Sequence, residues 1–208
     1  QLDMTGPAQV LSRLPGAKVS VAARSLDPVM TDSGFAIVPI STFAETPQAD
    51  ILCVPGGHGV ADALGDAPTI DFIAHQASGA RWVTSVCTGA FLLGRAGLLQ
   101  GKRATTHWAY AHLLDRVGAT NVPGRVVEDG RTITAGGVTA GIDFALVLIA
   151  REAGEDVARA VQLALEYDPH PPFSSGTPEA AGPAMTDTLK TRVYTAAAER
   201  LASALADT

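Results

Sequence analysis

Short runs of consecutive apolar and β-branched residues alternate along this chain with Ala/Leu-rich stretches whose apolar positions recur every three to four residues. The runs at 17–23 (AKVSVAA), 35–38, 50–54 (DILCV) and 81–86 (RWVTSV) predict strands, and the run at 50–54 stops at Pro55-Gly56-Gly57. Helical spacing covers 68–76, 88–99, 107–117, 141–153 and 155–167, the last two parted near Gly154. Residues 125–128 and 132–135 flank Asp129-Gly130, a pair suited to a tight turn, and predict a β-hairpin. Continuously apolar strands belong to sheets buried on both faces.

Strands alternating with helices build a largely parallel sheet with helices on either side. The predicted architecture is therefore α/β: a doubly wound, flavodoxin-like three-layer sandwich with a mostly parallel central sheet, occupying residues 1–167. The stretch 168–183 (DPHPPFSSGTPEAAGP) is too rich in Pro and Gly to continue a helix. Residues 186–206 then read as one helix, with Leu189, Val193, Ala196, Ala197, Leu201 and Leu205 on one face. Residues 168–208 are thus expected to form an arm and a terminal helix packed on the same domain. At the other end, Gln1 runs straight into Asp3-Met4-Thr5-Gly6-Pro7, which reads as a strand-to-helix turn without its strand. The expectation is that the natural protein begins upstream.

Composition narrows the function classes. With 208 residues, 47% of them hydrophobic and 17% charged, the chain can bury a full core and is not a disordered one. Its 15 basic and 21 acidic residues leave a net charge of −6, which opposes binding to nucleic acid or to an anionic membrane. No apolar run has transmembrane length and no signal peptide is recognisable. Two cysteines, Cys53 and Cys87, do not make a disulfide scaffold, so reduced thiols in the cytoplasm are expected. No group of His, Cys or acidic residues has metal-ligand spacing, and no metal is expected.

The candidate chemistry centres on Ser85-Val86-Cys87-Thr88-Gly89-Ala90. A buried strand delivers Cys87 to a sharp turn from which a helix starts at once, the geometry of a nucleophile elbow at the carboxyl edge of the sheet. Helix-start amides favour negative charge there, which predicts a lowered thiol pKa. The competing reading is a small buried hydrophobe. Cys53, flanked by apolar residues in mid-strand, reads as core. The turn Gly56-Gly57-His58 ends the neighbouring strand, and amides of Gly57 and Thr88 are candidates to cradle developing charge; His58 is a candidate pocket residue. Asp3 reads equally as a proton-exchanging acid at the same edge or as a helix N-cap. His107 reads either as the partner of a Cys–His dyad or as a packed histidine at a helix start.

With these residues in place, the stretches LDMTGP (2–7), VPGGHGV (54–60), VTSVCTGAFLLGRAGLLQGKRATTHWAY (83–110), TAGGVTAGIDFAL (134–146) and VQLALEYDPHPPF (161–173) resemble the ThiJ/PfpI superfamily, most closely its isocyanide hydratase branch. The resemblance implies a flavodoxin-like fold, a homodimer, and a cysteine on a strained elbow. It also implies an acidic partner from the turn after the first strand, at the position of Asp3. Many relatives carry Glu there; Asp suits the isocyanide hydratases. The implied activity is that of a lyase without cofactor: a small-molecule isocyanide, R–N≡C, is hydrated to an N-substituted formamide through a thioimidate on Cys87. The resemblance places Gly56, Gly57, His58, Thr88 and Val138 around the reacting centre.

Three rivals remain at this level. Peptidase- or amidotransferase-like relatives place His directly after the cysteine, where this chain has Thr88. A glyoxalase or deglycase would use the same thiol, with Glu and a pocket histidine. The ligand-sensing half of AraC-type regulators shares the elbow and TTHWAY, but continues into a DNA-binding region of which this sequence shows no trace.

Overall fold

The structure, a computed structural model, describes residues 1–206. The chain opens with α1 (Leu2–Leu11), passes through the two-residue strands β1 (Ala22–Ala23), β2 (Val29–Met30), β3 (Ala36–Ile37) and β4 (Ser41–Thr42), and enters β5 (Ile51–Val54). Helices α2 (Val60–Ala63) and α3 (Ala67–Gly79) lead to β6 (Trp82–Val86), α4 (Gly89–Arg95) and β7 (Arg103–Ala104). A 3-10 helix (Trp108–Val117) and β8 (Thr120–Asn121) precede the hairpin β9 (Val126–Asp129) and β10 (Thr132–Ala135). Helices α5 (Ala140–Ala153), α6 (Glu155–Ala164), α7 (Pro178–Ala181) and α8 (Pro183–Leu189) follow, then a π-helical turn (Lys190–Tyr194) and α9 (Thr195–Ala206).

The central sheet has the order β5-β6-β10-β9. Strands β5, β6 and β10 are parallel, and β9 closes one edge antiparallel to β10. Strand side chains alternate between faces, and both faces are apolar. On one, Leu52, Val54 and Val83 meet Leu64, Ile73, Phe91, Leu93 and Leu114 from the helices between β5 and β8. On the other, Val86, Ile133 and Ala135 meet Phe144, Leu148 and Ile149 of α5 and Val10 of α1. This is the three-layer α/β sandwich that the alternating pattern predicts. Full burial of each of these Leu, Ile and Phe side chains contributes about 1.5–3 kcal/mol.

Several elements depart from the sequence pattern. Of residues 17–23 only Ala22 and Ala23 pair, with β4 and apart from the central sheet; residues 17–20 are exposed, so no packed face holds them extended. The helix after the elbow stops at Arg95, and Gly97 at φ 75° turns the chain away. The stretch 108–117 is a 3-10 helix. Within the Pro-rich stretch, Thr177 caps the short α7 by accepting from the Ala180 amide, with Pro178 in the first turn, where its missing N–H costs nothing.

The terminal helix shows the most informative difference. The π turn inserts an extra residue into the helical period, and the Thr195 hydroxyl donates to the Lys190 carbonyl five residues back. Residues before the turn are thereby shifted out of register with α9. Leu189 and Val193 point to solvent, while Tyr194, Ala197, Ala198 and Leu205 pack on the core around buried Leu201. Among the described residues no helix is long and apolar enough to cross a membrane.

Helix α4 lies so close to β5 that a Cβ at Gly89 would sit 2.2 Å from the Val54 carbonyl oxygen and 2.9 Å from the Pro55 backbone. Gly89→Ala is therefore expected to lower the unfolding free energy by about 1–3 kcal/mol. Gly59→Ala, which meets nothing within 4 Å, is the control in the same urea titration. Equal midpoints for the two variants would contradict this packing.

Candidate active site

Cys87 sits at the junction of β6 and α4 with φ at 56°. A left-handed conformation costs a non-glycine residue about 1–2 kcal/mol, so the surroundings must impose it. They do so through the backbone. The Cys87 N–H is shared between the carbonyls of Ala135 (3.0 Å) and Gly136 (2.9 Å), and its own carbonyl accepts from the Thr106 hydroxyl at 2.7 Å. The residue is 7% exposed.

Asp3 lies in the first turn of α1 and is 6% exposed. The N-cap position is taken by Gln1, so the capping reading of Asp3 fails. Helix α1 reaches the site by packing on α5: a Cβ at Gly6 would meet Ile142 at 3.3 Å, and one at Gly141 would meet Pro7 at 3.1 Å. Burial pushes the Asp3 carboxyl upward, against the Cys87 side chain and the Gly56 amide, which pull it down. Its Oδ2 is buried without a hydrogen-bond partner in the protein. Gly56 is the residue that admits this carboxylate, since a Cβ there would lie 2.9 Å from Oδ2 and 2.6 Å from the Thr88 nitrogen.

The thiol runs opposite to the sequence expectation. Burial first, and the Asp3 charge second, push Cys87 up to about 12, outweighing the Thr88 amide, which pulls it down. The helix start alone would have lowered it; desolvation wins because the sulfur is covered. Cys87 and Asp3 together therefore hold a proton at neutral pH. The Gly57 amide is also not the free donor predicted for it. It donates to the Thr88 hydroxyl at 3.0 Å, tying the glycine turn to the elbow. Gly57 has φ 132°, a conformation that needs glycine.

The remaining sequence candidates fall in different places. His58 is exposed on the glycine turn. With Gly57, Thr88, Tyr110, Arg200 and Leu201 it lines a small open cleft. Val138 is 40% exposed on the loop after β10 and does not line that cleft. His107 caps the 3-10 helix, its Nδ1 accepting from the Ala109 amide at 3.3 Å, and burial lowers its pKa. The packed reading of this histidine is the one the structure shows. Cys53 faces the Thr84 side chain, and burial pushes its thiol up to about 11. Tyr110, Tyr194 and Arg200 have no place in the sequence reading. Only the tyrosine of TTHWAY, three residues after His107, carried a local signal.

The DJ-1/PfpI family model matches residues 1–151. The chain belongs to this family. It is 53% identical to the isonitrile hydratase of Pseudomonas putida over 92% of this chain and 84% of that protein. The crystal structure of a ThiJ/PfpI family protein from Pseudomonas syringae superposes with a TM-score of 0.93 at 40% identity, covering 98% of this chain and 85% of that one. Drosophila melanogaster DJ-1beta superposes with a TM-score of 0.68 at 26% identity, covering 79% of this chain and 90% of that one.

In this DJ-1/PfpI chain, the burial of an ionisable thiol links stability to pH. The Cys87 pKa rises from 9.0 to about 12 on folding. Between those values the unfolded chain has lost the proton and the folded one keeps it, so stability falls as pH rises above about 9. Cys87→Ala removes this linkage and leaves that of Cys53. The melting temperature of the variant relative to wild type is expected to climb between pH 8 and pH 10.5. A constant difference across that range would rule out a buried, protonated Cys87.

Proposed function

We propose that this protein hydrates isocyanides to N-substituted formamides, with Cys87 as nucleophile and Asp3 as the group that exchanges its proton. The observation that carries the reading is the pairing of a buried carboxyl and a buried thiol that together keep one proton. The 53% identity with an isonitrile hydratase supports it.

The isocyanide carbon takes both a nucleophile and a proton. The Cys87 S–H bond breaks, Sγ bonds to that carbon, and the proton reaches the same carbon by way of Asp3. The product, R–N=CH–S–Cys87, is a thioimidate. Water adds to its carbon, with Asp3 Oδ2 accepting a proton from the water, and nitrogen is protonated. Collapse of R–NH–CH(OH)–S–Cys87 expels the sulfur, which regains its proton, and releases R–NH–CHO. Atoms balance as R–N≡C plus H₂O, with no redox change. A resting thiol serves this scheme better than a resting thiolate, because the first step consumes a proton.

A glyoxalase-type reaction on carbonyls is the weaker reading. The acid is Asp rather than Glu, and the His107 Nδ1 is engaged in capping. The resemblance further supports a cytoplasmic homodimer, for which light scattering would report twice the chain mass.

Cys87→Ala is expected to abolish formamide formation from phenyl isocyanide. Asp3→Asn is expected to reduce it by about 10²–10⁴-fold, the range of general acid–base catalysis. Both are read by mass spectrometry of the product. Substantial turnover by Cys87→Ala would reject the covalent route; wild-type turnover of methylglyoxal but not of isocyanide would favour the carbonyl reading.

A further inference from the structure

The C-terminal segment contributes to the site, although the family model ends at residue 151. Beyond that point, α9 brings Ala197, Arg200 and Leu201 to the cleft beside Thr88. Tyr194, the last residue of the π turn, packs in an aromatic group. Its ring centroid lies 5.1 Å from that of His107, 5.3 Å from Trp108 and 6.0 Å from Tyr110. The contacts with Trp108 and Tyr110 are edge-on, an arrangement favoured by ring quadrupoles. Tyr110 itself lines the cleft. Both phenols are also within electrostatic reach of Cys87, whose charge disfavours their ionisation. Of these four rings Tyr110 lines the cleft and the other three pack behind it, Tyr194 being the one supplied by the C-terminal segment.

We propose that Tyr194 is a specificity-determining residue: with His107 and Trp108 it backs Tyr110, the ring that lines the cleft, and so holds an aromatic wall that takes a flat aryl group as the substituent on the isocyanide nitrogen. The assignment rests on the isocyanide reading for its reacting group and adds to it the class of R. Aromatic walls also accept cations, but the cleft lining holds no carboxylate to receive one, and its Arg200 is ion-paired with Asp62. Tyr194 stands two helical turns before buried Leu201, so the regular period of the last helix carries both onto the inward face and leaves Val193 exposed.

Phenyl and cyclohexyl isocyanide match in size and differ in the flat π face, so they isolate the wall. Tyr194→Leu keeps an apolar side chain in the helix packing and removes the ring, while Tyr194→Phe keeps the ring and removes the hydroxyl. For Tyr194→Leu, kcat/KM with phenyl isocyanide is expected to fall about tenfold, the upper end of what one aromatic pair contributes. The loss should lie mainly in KM, with less than twofold change for cyclohexyl isocyanide. Tyr194→Phe should stay within twofold of wild type on both. Binding of the corresponding formamides, N-phenylformamide and N-cyclohexylformamide, followed by Trp fluorescence or calorimetry, should show the same selective tenfold loss without any turnover. Equal losses on both ligands, or none on either, would overturn the wall. If wild type turned over neither isocyanide, the reaction reading would fall, and selective loss of N-phenylformamide binding would still decide the wall.

Discussion

The structure turns on one backbone constraint: Cys87 is held at a positive φ while its amide serves two carbonyls and its carbonyl takes a hydroxyl. That constraint needs β10 beside β6, because Ala135 and Gly136 supply the two acceptors. It needs α4 pressed against β5, because only glycine at position 89 allows the helix to begin so near Val54. It also needs Gly56, whose missing side chain leaves room for the Asp3 carboxylate and the Thr88 amide in the same few ångströms. The sheet order, the helix approach and two glycines are thus parts of one arrangement. Its product is a sulfur aimed at a carboxyl group.

Electrostatics at that contact is a contest between the helix start and desolvation. Amides at the first turn of α4 pull the thiol pKa down, as at any helix N-terminus. Burial and the neighbouring carboxylate push the other way and prevail. The carboxyl, buried as well, is itself pushed upward. Two acids in one dry pocket hold a proton between them more tightly than either would in water. For an addition that places sulfur and hydrogen on a single carbon, this is a suitable resting state.

Much of this arrangement was legible in the sequence, and the exceptions have physical causes. Strands β5 and β6 showed as apolar runs, and Cys87 showed as the residue between the last buried strand position and a helix. The hairpin around Asp129-Gly130 was equally plain. The thiol pKa was not legible, since the neighbouring sequence reveals a helix start but not how deeply the sulfur is covered. Asp3 was ambiguous because a short acid before Thr-Gly-Pro suits both a cap and a site; only the packing of Gly6 and Pro7 against α5 decides it. Tyr194 was invisible for another reason. Reading 186–206 from Leu189 and Val193 put those two inward, whereas the face fixed by Leu201 carries Tyr194, two turns before it, and the π turn puts Leu189 out of register with that face.

The shared proton also bears on how the sulfur survives. Alkylating agents, disulfides and peroxides all attack the thiolate form, and its population in the resting pocket is small. A reagent that brings only an electrophilic centre finds little to react with. One whose carbon can bond to sulfur and accept hydrogen together meets both at once. The site is thereby shielded from general thiol chemistry both by the cover over the sulfur and by its acid–base state.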